Sequence, residues 1–134
     1  MTTERSSEYA RTRLRLAEEM LADARLLLGD GRLKSAADRA YYSMFHSAQA
    51  ALAAQGITAP RSHRGLRSQF GKHLVVPGII EREYARDLTL AHEMRQEGTY
   101  EAYATMSVDS AADLVGRAGK LLERVTLLVH GEQG

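Results

Sequence analysis

The sequence contains no cysteine. This absence excludes disulfide frameworks, thiolate zinc sites, iron–sulfur clusters and a cysteine nucleophile, and it argues against a small secreted scaffold. Long apolar runs are also missing, since no stretch approaches the roughly 18 residues that a membrane-spanning helix needs. The first eight residues, MTTERSSE, lack the apolar segment of a signal peptide. We therefore expect a cytoplasmic protein that does not enter a membrane.

An excess of charge of one sign is absent too. The 134 residues include 18 lysines and arginines against 17 aspartates and glutamates, which leaves a net charge of +1. Such a balance does not indicate a partner, so only local clusters of charge can do so. Neither a glycine-rich phosphate loop nor a Gly-x-Ser-x-Gly motif occurs.

Proline is scarce, with Pro60 and Pro77 as its only positions. Apolar residues recur at spacings of three and four in four long segments, at about 6–28, 33–55, 80–97 and 108–129, and a short helix is expected over 62–74. No segment alternates in polarity for long enough to indicate a strand. The pattern predicts an all-α fold, an up-and-down four-helix bundle with an additional short helix. We expect a single domain over residues 1–134 with short flexible termini at about 1–5 and 130–134.

The second predicted helix carries a polar stripe beside its apolar face. Arg39 and His46 are seven residues apart, so they project from nearly the same side, about 10 Å apart along the axis. Tyr42, Ser43 and Gln49 lie on that side as well. Arginine can neutralise charge on phosphate oxygens, and histidine can transfer protons near neutral pH, so the stripe suits phosphodiester chemistry. The axial separation favours two facing copies of the helix around one cleft.

A purely structural role for the same residues stays open. Arg39 would then pair with a surface carboxylate, and His46 would be a satisfied histidine in a helix interface. Residues 61–73 add a local positive patch with no acidic residue, which suits contact with a phosphate backbone or is simply a solvated basic face. The candidate phosphate-binding residues are Arg61, His63, Arg64, Arg67, Lys72 and His73. His92 and Arg95 are expected on an exposed helix face, and no spacing indicates a metal site.

These segments together resemble the HEPN family (higher eukaryotes and prokaryotes nucleotide-binding), in its small stand-alone prokaryotic branch. The resemblance is carried by the segments RAYYSMFH at 39–46, SHRGL at 62–66 and FGKH at 70–73, and then by Arg95 followed by Tyr100. Their order and spacing match from about residue 10 to residue 128. Each segment is weakly specific alone, and the ordered set is fairly specific.

The resemblance implies a helical bundle that forms a homodimer. It implies a metal-independent endoribonuclease without cofactors, in which Arg39 and His46 are the catalytic residues and Tyr42 and Ser43 support the cleft. Arg95 and Tyr100 are further candidates for the site. Many members are encoded beside a minimal nucleotidyltransferase and act with it as a toxin–antitoxin pair.

Two other functions remain as alternatives. In one, the stripe is a non-catalytic nucleotide pocket or a docking face for the nucleotidyltransferase. The sequence differs from the ribonuclease members at two positions, which favours this alternative. Ala40 directly follows the arginine, where those members often have a polar residue, and Ala48 stands two residues after the histidine, where they often have a tyrosine. In the other, the stripe only fixes the register of a structural dimer.

Overall fold

The structure, a computed structural model, describes the backbone of residues 3–100 and 106–131 and the side chains of residues 4–95 and 106–131. Its helices are α1 (Thr3–Gly29), α2 (Leu33–Ala54), α3 (His63–Phe70), α4 (Arg82–Tyr100) and α5 (Val108–His130), and a π-helical turn (Gly71–Val75) follows α3. No strand occurs in this part of the chain, so the predicted all-α fold is confirmed. The prediction of flexible termini stays a prediction, and residues 1–2 and 132–134 lie outside the described residues.

Helix α2 is the centre of the bundle. It packs against α1, α3, α4, α5 and the π-helical turn, and fourteen of its 22 residues are buried. The closest packing is with α1, where alanines such as Ala17 and Ala24 face Ala-rich α2 without exposed surface. Small side chains let the two backbones approach closely. A helix enclosed in this way has little free surface, and any polar residue on it must find a partner inside the protein.

Helix α5 completes the core with α1 and α2. The Ser107 side chain accepts a hydrogen bond from the backbone N–H of Ser110 at 3.0 Å and so caps the start of the helix. Most of the predicted apolar stripe of α5 is buried, including Val115, Ala118 and Val125, whereas Val108 at its start is exposed. None of the helices is long and apolar enough to cross a membrane, as judged over the part of the chain described.

A tight connection leads into α3. The Ser62 hydroxyl accepts a hydrogen bond from the backbone N–H of Gly65 at 3.0 Å and caps the helix. A Cβ atom at position 65 would lie 2.7 Å from the Ser62 Oγ and 2.9 Å from Pro60 Cβ. Glycine is therefore the residue that allows this cap and this approach of Pro60 to coexist.

Both boundaries of α4 differ from the sequence prediction. Helix α4 begins at Arg82 and not at Ile80, because the backbone N–H groups of Ile79 and Ile80 both donate to the carbonyl oxygen of Leu74. The same helix continues through Gly98, where the sequence predicted an interruption. A glycine costs a helix only about 1 kcal/mol relative to alanine, which the rest of a helix can offset.

Candidate functional site

Arg39 and His46 lie on the side of α2 that faces α1. Nη1 of Arg39 is 3.6 Å from the Met20 sulfur, and Arg39 is otherwise exposed. Nδ1 of His46 is 3.3 Å from Nη1 of Arg13. The two contact points on α1 are also seven residues apart, as expected for antiparallel neighbours. The predicted alignment of Arg39 and His46 is therefore compatible with the packing, while each residue contacts a different turn of α1.

His46 is held in its neutral form by its surroundings. Burial lowers its pKa and the Arg13 charge lowers it further, while the neighbouring Gln49 side chain partly opposes both effects. Because a guanidinium has no acceptor, Nδ1 of His46 accepts the bond from Arg13 and its lone pair is free of a proton. Neutral imidazole with an unprotonated ring nitrogen is the form that a general base requires.

Arg13 was not singled out from the sequence. It lies beside the apolar stripe of α1, and its guanidinium carbon stands 4.8 Å from the centre of the Tyr9 ring. No sequence motif indicates that Arg13, which lies 33 residues before His46, contacts its imidazole. Only the packing of α1 against α2 places this cation at the imidazole.

The two residues expected to support the cleft are already engaged inside the protomer. Ser43 is fully buried and donates a hydrogen bond to the Ala17 carbonyl oxygen at 2.8 Å, which ties α2 to α1. The Tyr42 hydroxyl accepts a hydrogen bond from Nη2 of Arg95 at 3.0 Å. Ser43 therefore acts in helix packing, and Tyr42 faces α4.

The basic segment 61–73 divides into two groups. Arg61, Arg64 and Lys72 are exposed, as a surface for a phosphate backbone requires. His63, Arg67 and His73 are half-buried. The first two of these turn toward α2 and α4, so they serve a second cluster.

This second cluster is centred on Tyr41, which is 1% exposed. Its hydroxyl forms a short hydrogen bond with Nδ1 of His63. The ring centres of His63 and His92 are 5.3 Å apart, and that of His92 is 5.7 Å from Tyr41. Burial raises the pKa of Tyr41 to about 12, so the phenol stays protonated at neutral pH.

Arg95 connects the cluster to the start of α2. Its Nε donates to Oδ1 of Asp38 at 2.7 Å, and its guanidinium carbon lies 4.9 Å from the centre of the Tyr42 ring. The sequence predicted His92 and Arg95 on an exposed helix face, and that prediction is wrong. Both side chains are half-buried against α2, because α4 presents this face to the bundle and not to solvent.

The helical register explains why the two clusters are separate. Successive residues of a helix are rotated by about 100°, which puts Tyr41 roughly 140° around α2 from His46. Neither His63 nor Arg95 contacts Arg39 or His46 among the described interactions. Tyr100 ends α4, and its side chain lies outside the described residues. Within residues 3–100 and 106–131, no three histidine or acidic side chains are grouped as metal ligands.

Comparison with known proteins gives a consistent family. Residues 10–128 match the HEPN domain. A UPF0332 protein of Thermotoga maritima is 31% identical over 127 residues, which cover 95% of this chain and 93% of the relative. A Methanocaldococcus jannaschii protein with the name putative toxin MJ0605 is 32% identical over 84% of this chain and 87% of its own length. UPF0332 protein PH1297 of Pyrococcus horikoshii is 48% identical over 82 residues, and the match spans 61% of this chain and 57% of that relative.

Proposed function

The chain belongs to the HEPN domain family, and we propose that it is a toxin that cleaves RNA without a metal ion, as a homodimer with Arg39 and His46 in its site. The observation that carries the proposal is the environment of the His46 imidazole, which favours its neutral form. Its imidazole is neutral, half-buried and bonded through Nδ1 to Arg13, on the same side of α2 as Arg39. A base bonded to one permanent cation, with a second cation two turns along the same helix, suits a reaction at an anionic phosphodiester.

The proposed reaction is transfer within the RNA chain. The 2′-oxygen attacks the adjacent phosphorus, and its proton passes to Nδ1 of His46 once Arg13 has turned from the imidazole to the phosphate. The bond from phosphorus to the 5′-oxygen breaks, the leaving oxygen takes a proton from water, and the protonated His46 returns its proton to the solvent. Arg39 and Arg13 balance the charge on the non-bridging oxygens. The products are a 2′,3′-cyclic phosphate and a 5′-hydroxyl, and DNA is not cut because it lacks the 2′-hydroxyl.

The exposed basic residues have a supporting role in this proposal. Arg61, Arg64 and Lys72 bind the RNA backbone, and each phosphate contact makes binding weaker in higher salt. We place the activity in the cytoplasm, with a minimal nucleotidyltransferase as the antitoxin partner. The name of the Methanocaldococcus relative is the support for the toxin role.

The experiment is cleavage of labelled RNA by the purified protein in EDTA. We expect cyclic phosphate ends from the wild type and loss of cleavage in His46→Ala. His130→Ala is the matched control, because His130 is an exposed histidine at the end of α5. Cleavage that His46→Ala retains would refute the catalytic role of His46.

A mixing experiment tests the dimer. Arg39→Ala and His46→Ala are each inactive if both residues are needed. If each site combines Arg39 of one protomer with His46 of the other, the mixed dimer regains one intact site and part of the activity. A mixture as inactive as its parents would place each site within one protomer.

One observation favours the alternative of a non-catalytic nucleotide-binding or partner-docking module. The Ser43 hydroxyl is hydrogen-bonded to Ala17, and the Tyr42 hydroxyl is hydrogen-bonded to Arg95. Fewer polar groups are therefore available beside Arg39 and His46 for catalysis. In that case the purified protein would bind a nucleotide or the nucleotidyltransferase through the exposed Arg39, and no RNA cleavage would be seen. Binding that Arg39→Ala abolishes, with no cleavage by the wild type, would select this function.

A further inference from the structure

The cluster between α2, α3 and α4 holds polar groups that lack partners. Nδ1 of His92 is buried without a hydrogen-bond partner in the described chain. The half-buried guanidinium of Arg67 likewise has no hydrogen-bond or ion-pair partner among the described side chains. A buried donor or acceptor left without a partner destabilises the folded protein, because it has lost its hydrogen bonds to water. The unpaired His92 nitrogen, close to the uncommitted positive charge of Arg67, indicates a place that a ligand completes.

The charge of the cluster indicates the sign of that ligand. Arg67 and Arg95 supply two positive charges, and the Asp38 carboxylate that would offset them is bound to Arg95. Protonation of His63 and His92 would add two more. Glu93 is exposed and acts on His92 only as a neighbouring charge. Among the side chains that the structure describes, the half-buried excess of charge is positive, so an anion would be stabilised there.

We propose that His92, Arg67 and His63 form a phosphomonoester-binding site on the α3–α4 side of α2, separate from the face that carries Arg39 and His46. A monoester carries close to two negative charges near neutral pH, whereas an internal phosphodiester carries one. The dianion matches Arg67 together with one protonated imidazole. Tyr42 and Phe45 place aromatic rings beside His63, at 6.5 and 5.2 Å between ring centres.

The hydrogen-bond pattern of His63 agrees with this ligand. Its Nδ1 is bonded to the buried Tyr41 hydroxyl, so Nε2 is the nitrogen left to reach an anion. The same bond fixes the ring orientation. For His63 and Arg67 the inference rests on the proposed function, in which the basic segment 61–73 contacts RNA. It makes that role more specific, since these two residues would bind a terminal phosphate and not the RNA backbone in general. The proposed role of His92 does not depend on that function.

Calorimetry with inorganic phosphate, AMP and two RNA decamers, one with a 5′-phosphate and one with a 5′-hydroxyl, tests the site. We expect phosphate and AMP to bind, with proton uptake detected by comparing buffers of different ionisation enthalpy. Loss of one charge-assisted bond in His92→Gln or Arg67→Ala should weaken binding about tenfold or more. Arg86→Ala is the matched control, since this exposed arginine of α4 lies outside the cluster. Its affinity should stay within twofold of the wild type.

The two decamers separate the sources of the phosphate. Tighter binding of the 5′-phosphorylated decamer assigns the site to an RNA end, and equal binding of the two decamers with retained AMP affinity assigns it to a free nucleotide. Absence of phosphate and AMP binding by the wild type would overturn the proposal, as would equal affinity in His92→Gln and Arg86→Ala. Imidazole proton shifts of the wild type on addition of phosphate give a second readout that needs no variant. Cleavage of the 5′-hydroxyl decamer tests the ribonuclease separately, so the two proposals can fail independently.

Discussion

Nη1 of Arg13 lies 3.3 Å from Nδ1 of His46, which joins the first helix to the histidine of the second. The contact keeps a permanent positive charge beside a half-buried imidazole. Charging that imidazole would bring two cations together in a medium of reduced polarity, so the neutral form is favoured. A substrate phosphate would reverse this balance by drawing Arg13 away. In the proposed reaction, the pair would couple phosphate binding to proton transfer by His46.

The first prediction concerns catalysis. Replacing His46 with alanine should lower the rate of RNA cleavage at least about a hundredfold, because general acid–base catalysis contributes about that much or more. The measurement is a single-turnover assay with labelled RNA in EDTA, together with circular dichroism of the variant. A correctly folded His46→Ala protein that cleaves at the wild-type rate would exclude proton transfer by this residue.

The second prediction concerns the pKa of His46. Arg13→Gln removes the neighbouring charge, so the pKa of His46 should rise toward about 6.5. The acidic limb of the cleavage profile should move to higher pH with it, since the base must be neutral to act. Proton NMR titration of the imidazole reports the pKa directly. Arg11→Gln serves as control, because Arg11 is exposed on the same helix; equal titration curves for the two variants would contradict the role of Arg13.

The third prediction concerns stability and pH. Burial lowers the pKa values of His46, His63 and His92 in the folded protein, so below about pH 6.5 the unfolded chain binds more protons. The free energy of unfolding should therefore fall as the pH drops from 7.5 to 5.5. Urea unfolding at several pH values measures it. His92→Gln should lessen the loss, and a stability independent of pH in this range would contradict the burial of these imidazoles.

The fourth prediction concerns the cap of α3. Gly65→Ala places a Cβ atom 2.7 Å from the Ser62 Oγ, so the cap or Pro60 must shift. The loss of a cap costs about 0.5–2 kcal/mol in the free energy of unfolding. Gly71→Ala is the control, since no atom lies within 4 Å of its added Cβ. If urea unfolding gives both variants the same free energy, the close approach at Gly65 has no energetic weight.

The helices were predictable because their signals are local. Apolar spacing on α1 and α5 and the Ser107 cap act within a few residues of one another, so the sequence alone carries them. The start of α4 was not predictable in this way, because the backbone N–H of Ile80 is held by a hydrogen bond to the Leu74 carbonyl oxygen in the preceding π-helical turn. The continuation of α4 through Gly98 reflects the small cost of one glycine against the rest of the helix.

In the candidate site, too, local relationships were predictable from the sequence and long-range contacts were not. Arg39 and His46 share a side of α2 by helical repeat alone, and the motif in which they lie was recognisable from residue order. Arg13 beside His46, Tyr41 bonded to His63, and Arg95 turned inward to Asp38 all join residues 22 to 57 positions apart. Contacts over such distances depend on which helix faces pack together, and spacing along one helix does not encode that.

The sequence by itself determined the all-α fold, the family and the face of α2 that carries Arg39 and His46, because helical periodicity and motif order are properties of neighbouring residues. Only the tertiary structure decided that Ser43 serves packing, that burial and Arg13 lower the pKa of His46, and that His63 and His92 meet close to Arg67. The physical reason is that burial and the electrostatic field at a side chain are set by the helices packed around it.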